Sequence, residues 1–98
     1  FEATGASWQV EASLPTATSG AAAALLNTVI VVAGGAPVPE RALVPVVQEL
    51  HRGTWTSVPM LVPRHGTANA IFQGRLWMCG GATAPGVHPS TDCTSIGL

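Results

Sequence analysis

Ninety-eight residues, 47% hydrophobic and only 9% charged, describe a small apolar chain long enough for one modest core. A formal net charge of −1 removes the electrostatic case for nucleic acid or for an anionic membrane surface. So little charge predicts either a surface covered by neighbours or an excerpt from something larger, rather than the charge-rich surface of a free monomer.

In chain order, the first expected element is a short strand over residues 7–11, Ser-Trp-Gln-Val-Glu. A small-apolar strand follows over 21–26, then the polar pair Asn27-Thr28 as a hairpin turn. The β-branched run at 29–33 is the next strand, closed by Gly34-Gly35. A loop rich in proline and alanine covers 36–42, and a third strand covers roughly 44–50 with Pro45 at its start. Residues 54–58 make a fourth strand around Trp55. The pattern then restarts. Strands at 67–72 and 75–79 flank Gln73-Gly74, and Gly80-Gly81 closes the second of them. A loop at 82–89 and a strand at 91–96 complete the chain. Helix is a poor rival, because alanines 21–24 are the one good helical stretch and glycines flank it closely.

The restart is in register. Residues 20–35 and 66–81 align without a gap at an offset of 46, which is the period of a repeat architecture. The longest apolar run, 20–38, is no membrane span, since Asn27, Thr28, Gly34, Gly35 and Pro37 interrupt it. Its near-copy carries Asn69, Gln73 and Arg75, which a bilayer segment would not accommodate. Four short antiparallel strands per 46-residue unit describe a blade of a β-propeller.

Trp55-Thr-Ser-Val-Pro59, Pro63-Arg64-His65-Gly66 and Arg75-Leu-Trp-Met-Cys-Gly-Gly81 together resemble a kelch repeat, as do Trp8, Pro15, Ser19-Gly20 and Val29 to Gly35 before them. The resemblance spans essentially the whole chain. It departs from the family where Val31 stands for the aromatic found as Trp77, where Thr18 stands opposite Arg64, and in having no tyrosine. It implies an all-β chain of two kelch-type propeller blades, each a four-stranded antiparallel sheet. Residues 1–14 are then a lone outer strand completing a neighbouring blade, 15–60 a complete blade, and 61–98 three strands of a second. Two blades cannot close a ring, and open edges invite aggregation. The expectation is a homo-oligomer, most simply three chains giving six blades, or the remainder of a longer propeller. The first strand of one copy would complete the last blade of another.

The resemblance further implies recognition of a protein or peptide segment by loops at the Gly-Gly end, with Arg64 foremost and Arg41, Ser19 and His65 beside it. The same end gathers Glu40, residues 16–19 and residues 88–92. The diglycines Gly34-Gly35 and Gly80-Gly81 read as structural strand ends, since no helix follows them to make a phosphate site. Trp8, Trp55 and Trp77 read as packing between blades, each with an N–H to satisfy. Cys79 and Cys93 fall on neighbouring strands and either bridge or remain free thiols in a reducing compartment. The cytosol is a frequent setting for the family. His51, His65 and His88 lie in separate loops or strand ends, with no metal-ligand spacing. His88, Ser90 and Asp92 sit too close along one extended segment to form a triad, and no nucleophile elbow accompanies them. The expected role is an interaction module with no enzymatic chemistry, cofactor or metal. The rivals are a purely structural propeller-closing segment and part of a sugar-oxidising or sugar-isomerising propeller enzyme; the copper-radical centre of the oxidising type needs tyrosines that this chain lacks.

Overall fold

The computed structural model describes residues 7–37, 42–85 and 88–98, and these are all-β. Seven strands form: β1 (Ala22–Leu26), β2 (Val29–Ala33), β3 (Val46–His51), β4 (Thr54–Pro59), β5 (Ala68–Phe72), β6 (Arg75–Cys79) and β7 (Cys93–Gly97). β1-β2-β3-β4 make one sheet and β5-β6-β7 a second, antiparallel throughout. The turns follow from local chemistry. Gln73-Gly74 and Arg52-Gly53 both place two consecutive residues at positive φ, the two-residue hairpin geometry that matches strand twist. Pro45 stands just before β3 because it has no N–H for a ladder; its carbonyl instead accepts from the Met60 amide at 3.0 Å.

The two sheets repeat one another residue for residue. Ile30↔Leu50 and Ala33↔Val47 in the first become Leu76↔Ile96 and Cys79↔Cys93 in the second, each number raised by 46. Loop hydrogen bonds obey the same shift. Gly34 N–H to Val46 O (3.1 Å) recurs as Gly80 N–H to Asp92 O (2.9 Å), and Val44 N–H to Gly35 O (2.8 Å) as Ser90 N–H to Gly81 O (2.9 Å).

The sheets pack through unlike faces. Strand alternation and pairing put Ala22, Leu26, Val31, Ala33 and Val47 on one face of the first sheet. That face buries against Leu76 and Met78, with Ile96 beside them. Raised by 46, the buried face of the first sheet corresponds to Ala68, Phe72, Trp77, Cys79 and Cys93, on the outer face of the second. The contact is therefore head-to-tail, and its pattern is not used up by two sheets. Each buried Val, Leu or Met side chain contributes about 1.5–3 kcal/mol, while Ala22 and Ala33 let the layers approach.

One expected strand is absent. Residues 7–14 join no ladder. Their end is held across a face of the first sheet rather than along an edge. Trp55 Nε1 donates to Ala12 O (2.9 Å), and Gln48 exchanges hydrogen bonds with both the amide and the carbonyl of Thr16 (2.8 and 3.0 Å). Trp55 and Gln48 project from the face opposite the second sheet.

Candidate binding surface

The loops before β1 and β5 lie side by side at the Gly-Gly end. Gly66 N–H donates to Gly20 O and Gly35 N–H to Arg64 O, both at 2.9 Å. Each loop also bridges to the stretch after its own diglycine, Ser19 to Ala36 and His65 to Ala82, and Ala82 pairs in turn with Pro89. This end is thus a rigid platform stitched by backbone hydrogen bonds.

Arg64 does not project from it. Only 1% of the residue is exposed. Its Nη1 donates to Gly80 O at 2.9 Å and to Asp92 O at 3.0 Å, tying the second diglycine to the loop before β7. Thr18 does the same work in the first repeat, donating from Oγ1 to Gly34 O at 2.7 Å. The reading of Arg64 as a presented, partner-contacting arginine is therefore corrected: it is a buried strut. The signal that could have found this was in the sequence, since the residue 46 before it is also a donor placed two ahead of a repeat glycine. Arg64 Nε and Nη2 are buried without a hydrogen-bond partner, so the guanidinium carries a desolvation cost along with its two bonds. Replacing it by alanine should orphan both carbonyls and leave a void. The expected loss is about 3 kcal/mol, read by urea denaturation; a variant of unchanged stability would return Arg64 to the surface role.

Ser19 is exposed, yet its Oγ donates to Ala36 O at 3.0 Å, so it braces the loop it sits on. His65 is half-buried, with its backbone paired to Ala82 at 2.9 and 3.0 Å. Arg41 lies outside the described residues. What the platform does expose is the segment before β7. His88, Thr91 and Asp92 are exposed there, and the Asp92 amide donates to Ser90 Oγ at 3.0 Å.

No tryptophan lies between the two sheets. Trp55 and Trp77 sit on opposite outer faces, their indole N–H groups donating to Ala12 O (2.9 Å) and Phe72 O (3.3 Å), while Trp8 is fully exposed. Small and branched side chains fill the interface instead, because the positions of the first sheet that face the second carry alanine, leucine and valine. Cys79 and Cys93, directly opposed on β6 and β7, form a disulfide. His51 ends β3 at the far end from His65 and His88, and among the described residues no three His, Cys, Asp or Glu side chains gather. Nor, among those residues, is any helix long and apolar enough to cross a membrane.

No protein-family model matches the chain, and no curated protein resembles it significantly.

Proposed function

We propose that the chain is two kelch-type blades of a β-propeller, serving as a protein-interaction module that takes a peptide segment on its Gly-Gly end. The observation that carries the propeller reading is the head-to-tail packing of the sheets. Each sheet leaves bare the face that its counterpart buries, with Leu25 and Ile30 exposed on one side and Phe72 and Trp77 on the other. Such a stack continues until it meets its own beginning. Three chains giving six blades, or the remainder of a longer propeller, would supply the missing layers. The rigid end platform then surrounds the ring's axis, where Ser19, His65, His88, Thr91 and Asp92 are the groups placed to meet a peptide. Arg64 supports this role from beneath by holding Asp92.

The Cys79–Cys93 bridge favours an oxidising compartment over the cytosol that the family resemblance suggests. A second reading, a purely structural propeller segment, draws its support from Arg64 and Ser19, whose polar groups are engaged inside the fold.

Selection of a displayed peptide library on the chain separates the two. Under the binding reading, enriched peptides lose about tenfold in affinity on His88→Ala or Thr91→Ala, while Arg52→Ala at the opposite end changes nothing. Enrichment of no peptide, or equal sensitivity at both ends, would favour the structural segment.

A further inference from the structure

The internal repeat shows what the fold requires at each position, and one triplet departs from it with no change in backbone. Val44-Pro45-Val46 lead into β3, and the same places before β7 hold Ser90-Thr91-Asp92. The hydrogen bonds are kept. Val44 N–H to Gly35 O and Gly34 N–H to Val46 O recur as Ser90 N–H to Gly81 O and Gly80 N–H to Asp92 O. Valine and proline therefore satisfy this backbone, and two hydroxyls and a carboxylate are an addition to it. The last two positions are superficial in both repeats. Pro45 is exposed and Val46 half-buried where the chain runs on through β3 and β4, and Thr91 and Asp92 are exposed.

A second departure serves the first. Arg64, standing where the first repeat has Thr18, donates from Nη1 to Asp92 O at 3.0 Å, and the Asp92 amide donates to Ser90 Oγ at 3.0 Å. With the Gly80 amide on the same carbonyl, three hydrogen bonds fix the Asp92 backbone. Its carboxylate enters no hydrogen bond or ion pair among the described residues. An acid held in place and left unpaired is preorganised for a ligand, because binding need not first order the segment that carries it.

We propose that the segment before β7 selects a peptide bearing lysine or arginine, with the Asp92 carboxylate accepting from its cation and the Thr91 hydroxyl beside it. The proposal rests on the peptide-binding reading above and names the chemistry of its ligand. The distribution of charge gives the sign. Arg64 is only 1% exposed and spends Nη1 on backbone carbonyls, so it offsets part of the Asp92 charge from beneath without pairing with the carboxylate. Arg52, in the turn between β3 and β4, and Arg75, at the start of β6, stand at the opposite ends of their strands. Among the described residues, then, no accessible arginine or lysine at the Gly-Gly end competes for Asp92, and none is there to receive an acidic ligand. An exposed ion pair adds modestly to affinity, so Asp92 decides which peptide is taken more than how tightly it is held.

The test is selection of two displayed peptide libraries on the full chain, random except in charge. One admits only lysine and arginine as charged residues, the other only aspartate and glutamate. The basic library should enrich. Asp92→Asn should weaken an enriched peptide about threefold to fivefold, and so should glutamine in place of the peptide's basic residue. The two changes together should cost no more than either alone, because they remove one interaction. A second variant, Ser90→Val with Thr91→Pro and Asp92→Val, copies the triplet that the same backbone carries in the first repeat. It should lose the preference for base while keeping the parent's circular dichroism. Enrichment of the acidic library alone overturns the proposal and leaves peptide binding at the platform standing. So does a basic peptide indifferent to Asp92→Asn, which would be held by charge elsewhere on the chain. Enrichment of neither library overturns both the proposal and the reading beneath it.

Discussion

Gly35→Ala is expected to cost about 4 kcal/mol, a large share of the roughly 5–15 kcal/mol that holds a domain of this size together. Two causes add. The residue sits at φ +88, where a side chain costs about 1–2 kcal/mol in backbone strain. A Cβ there would also run into Thr18 Oγ1, well inside contact distance, and into Ser19 O at 2.6 Å. Neither obstacle moves freely, since Thr18 is bonded to Gly34 O and Ser19 is paired with Ala36, so overpacking costs about 1–3 kcal/mol more. Gly53→Ala is the control. Its φ is +79 but nothing lies within 4 Å, so only the backbone term of about 1–2 kcal/mol should appear. Urea unfolding followed by tryptophan fluorescence measures both. Equal losses at the two glycines would mean that close packing at the Gly-Gly end contributes nothing. Gly81→Ala should repeat the Gly35 result against His65 O and Thr67 Cγ2, because it is the same position 46 residues on.

Removing the disulfide should lower stability by about 3 kcal/mol, the loop-closure value for a bridge spanning 14 residues. The first repeat supplies the replacement. Ala33 and Val47 oppose each other where Cys79 and Cys93 do in the second, so Cys79→Ala with Cys93→Val keeps a pairing the fold already accommodates. The melting temperature should fall by roughly 12–24 °C, and dithiothreitol should lower the wild type to the same value while leaving the variant unmoved. A variant as stable as the parent would assign the bridge no structural role. The loss matters more here than in an ordinary domain, since among the described residues β7 has a partner strand on one side only and the bridge clamps it to β6.

Much of this architecture was legible before any coordinates. Seven strands lie within two residues of where hydrophobic runs, polar pairs and diglycines place them, because short β-branched runs bounded by turn residues leave the backbone few options. The constant offset of 46 carries over from letters to hydrogen bonds for the same reason: equal turn lengths impose equal registers. Residues 7–11 show where that logic stops. Their pattern is that of β4, but a strand needs an edge to lie against; Trp8 and Val10 stand exposed, and the Ala12 and Thr16 bonds hold only the stretch that follows across a face.

The candidate site was legible as a place and not as a set of side chains. Alternation says which residues share a face, and only packing says whether that face is covered. Between the two sheets that face is filled by alanine, leucine and valine, while Trp55 and Trp77 lie on the outer faces. Arg64 fails for a related reason. A loop arginine beside proline and histidine reads as solvated, yet two backbone carbonyls brought together by the second sheet draw its guanidinium inward. By itself, then, the sequence determined an all-β chain, its strands, its turns and its internal repeat, all of which depend on neighbours a few residues apart. The tertiary structure alone decided which faces are buried, that Cys79 and Cys93 bridge, and that Arg64 is a strut, because each depends on groups between 14 and 28 residues away, or on the opposite sheet.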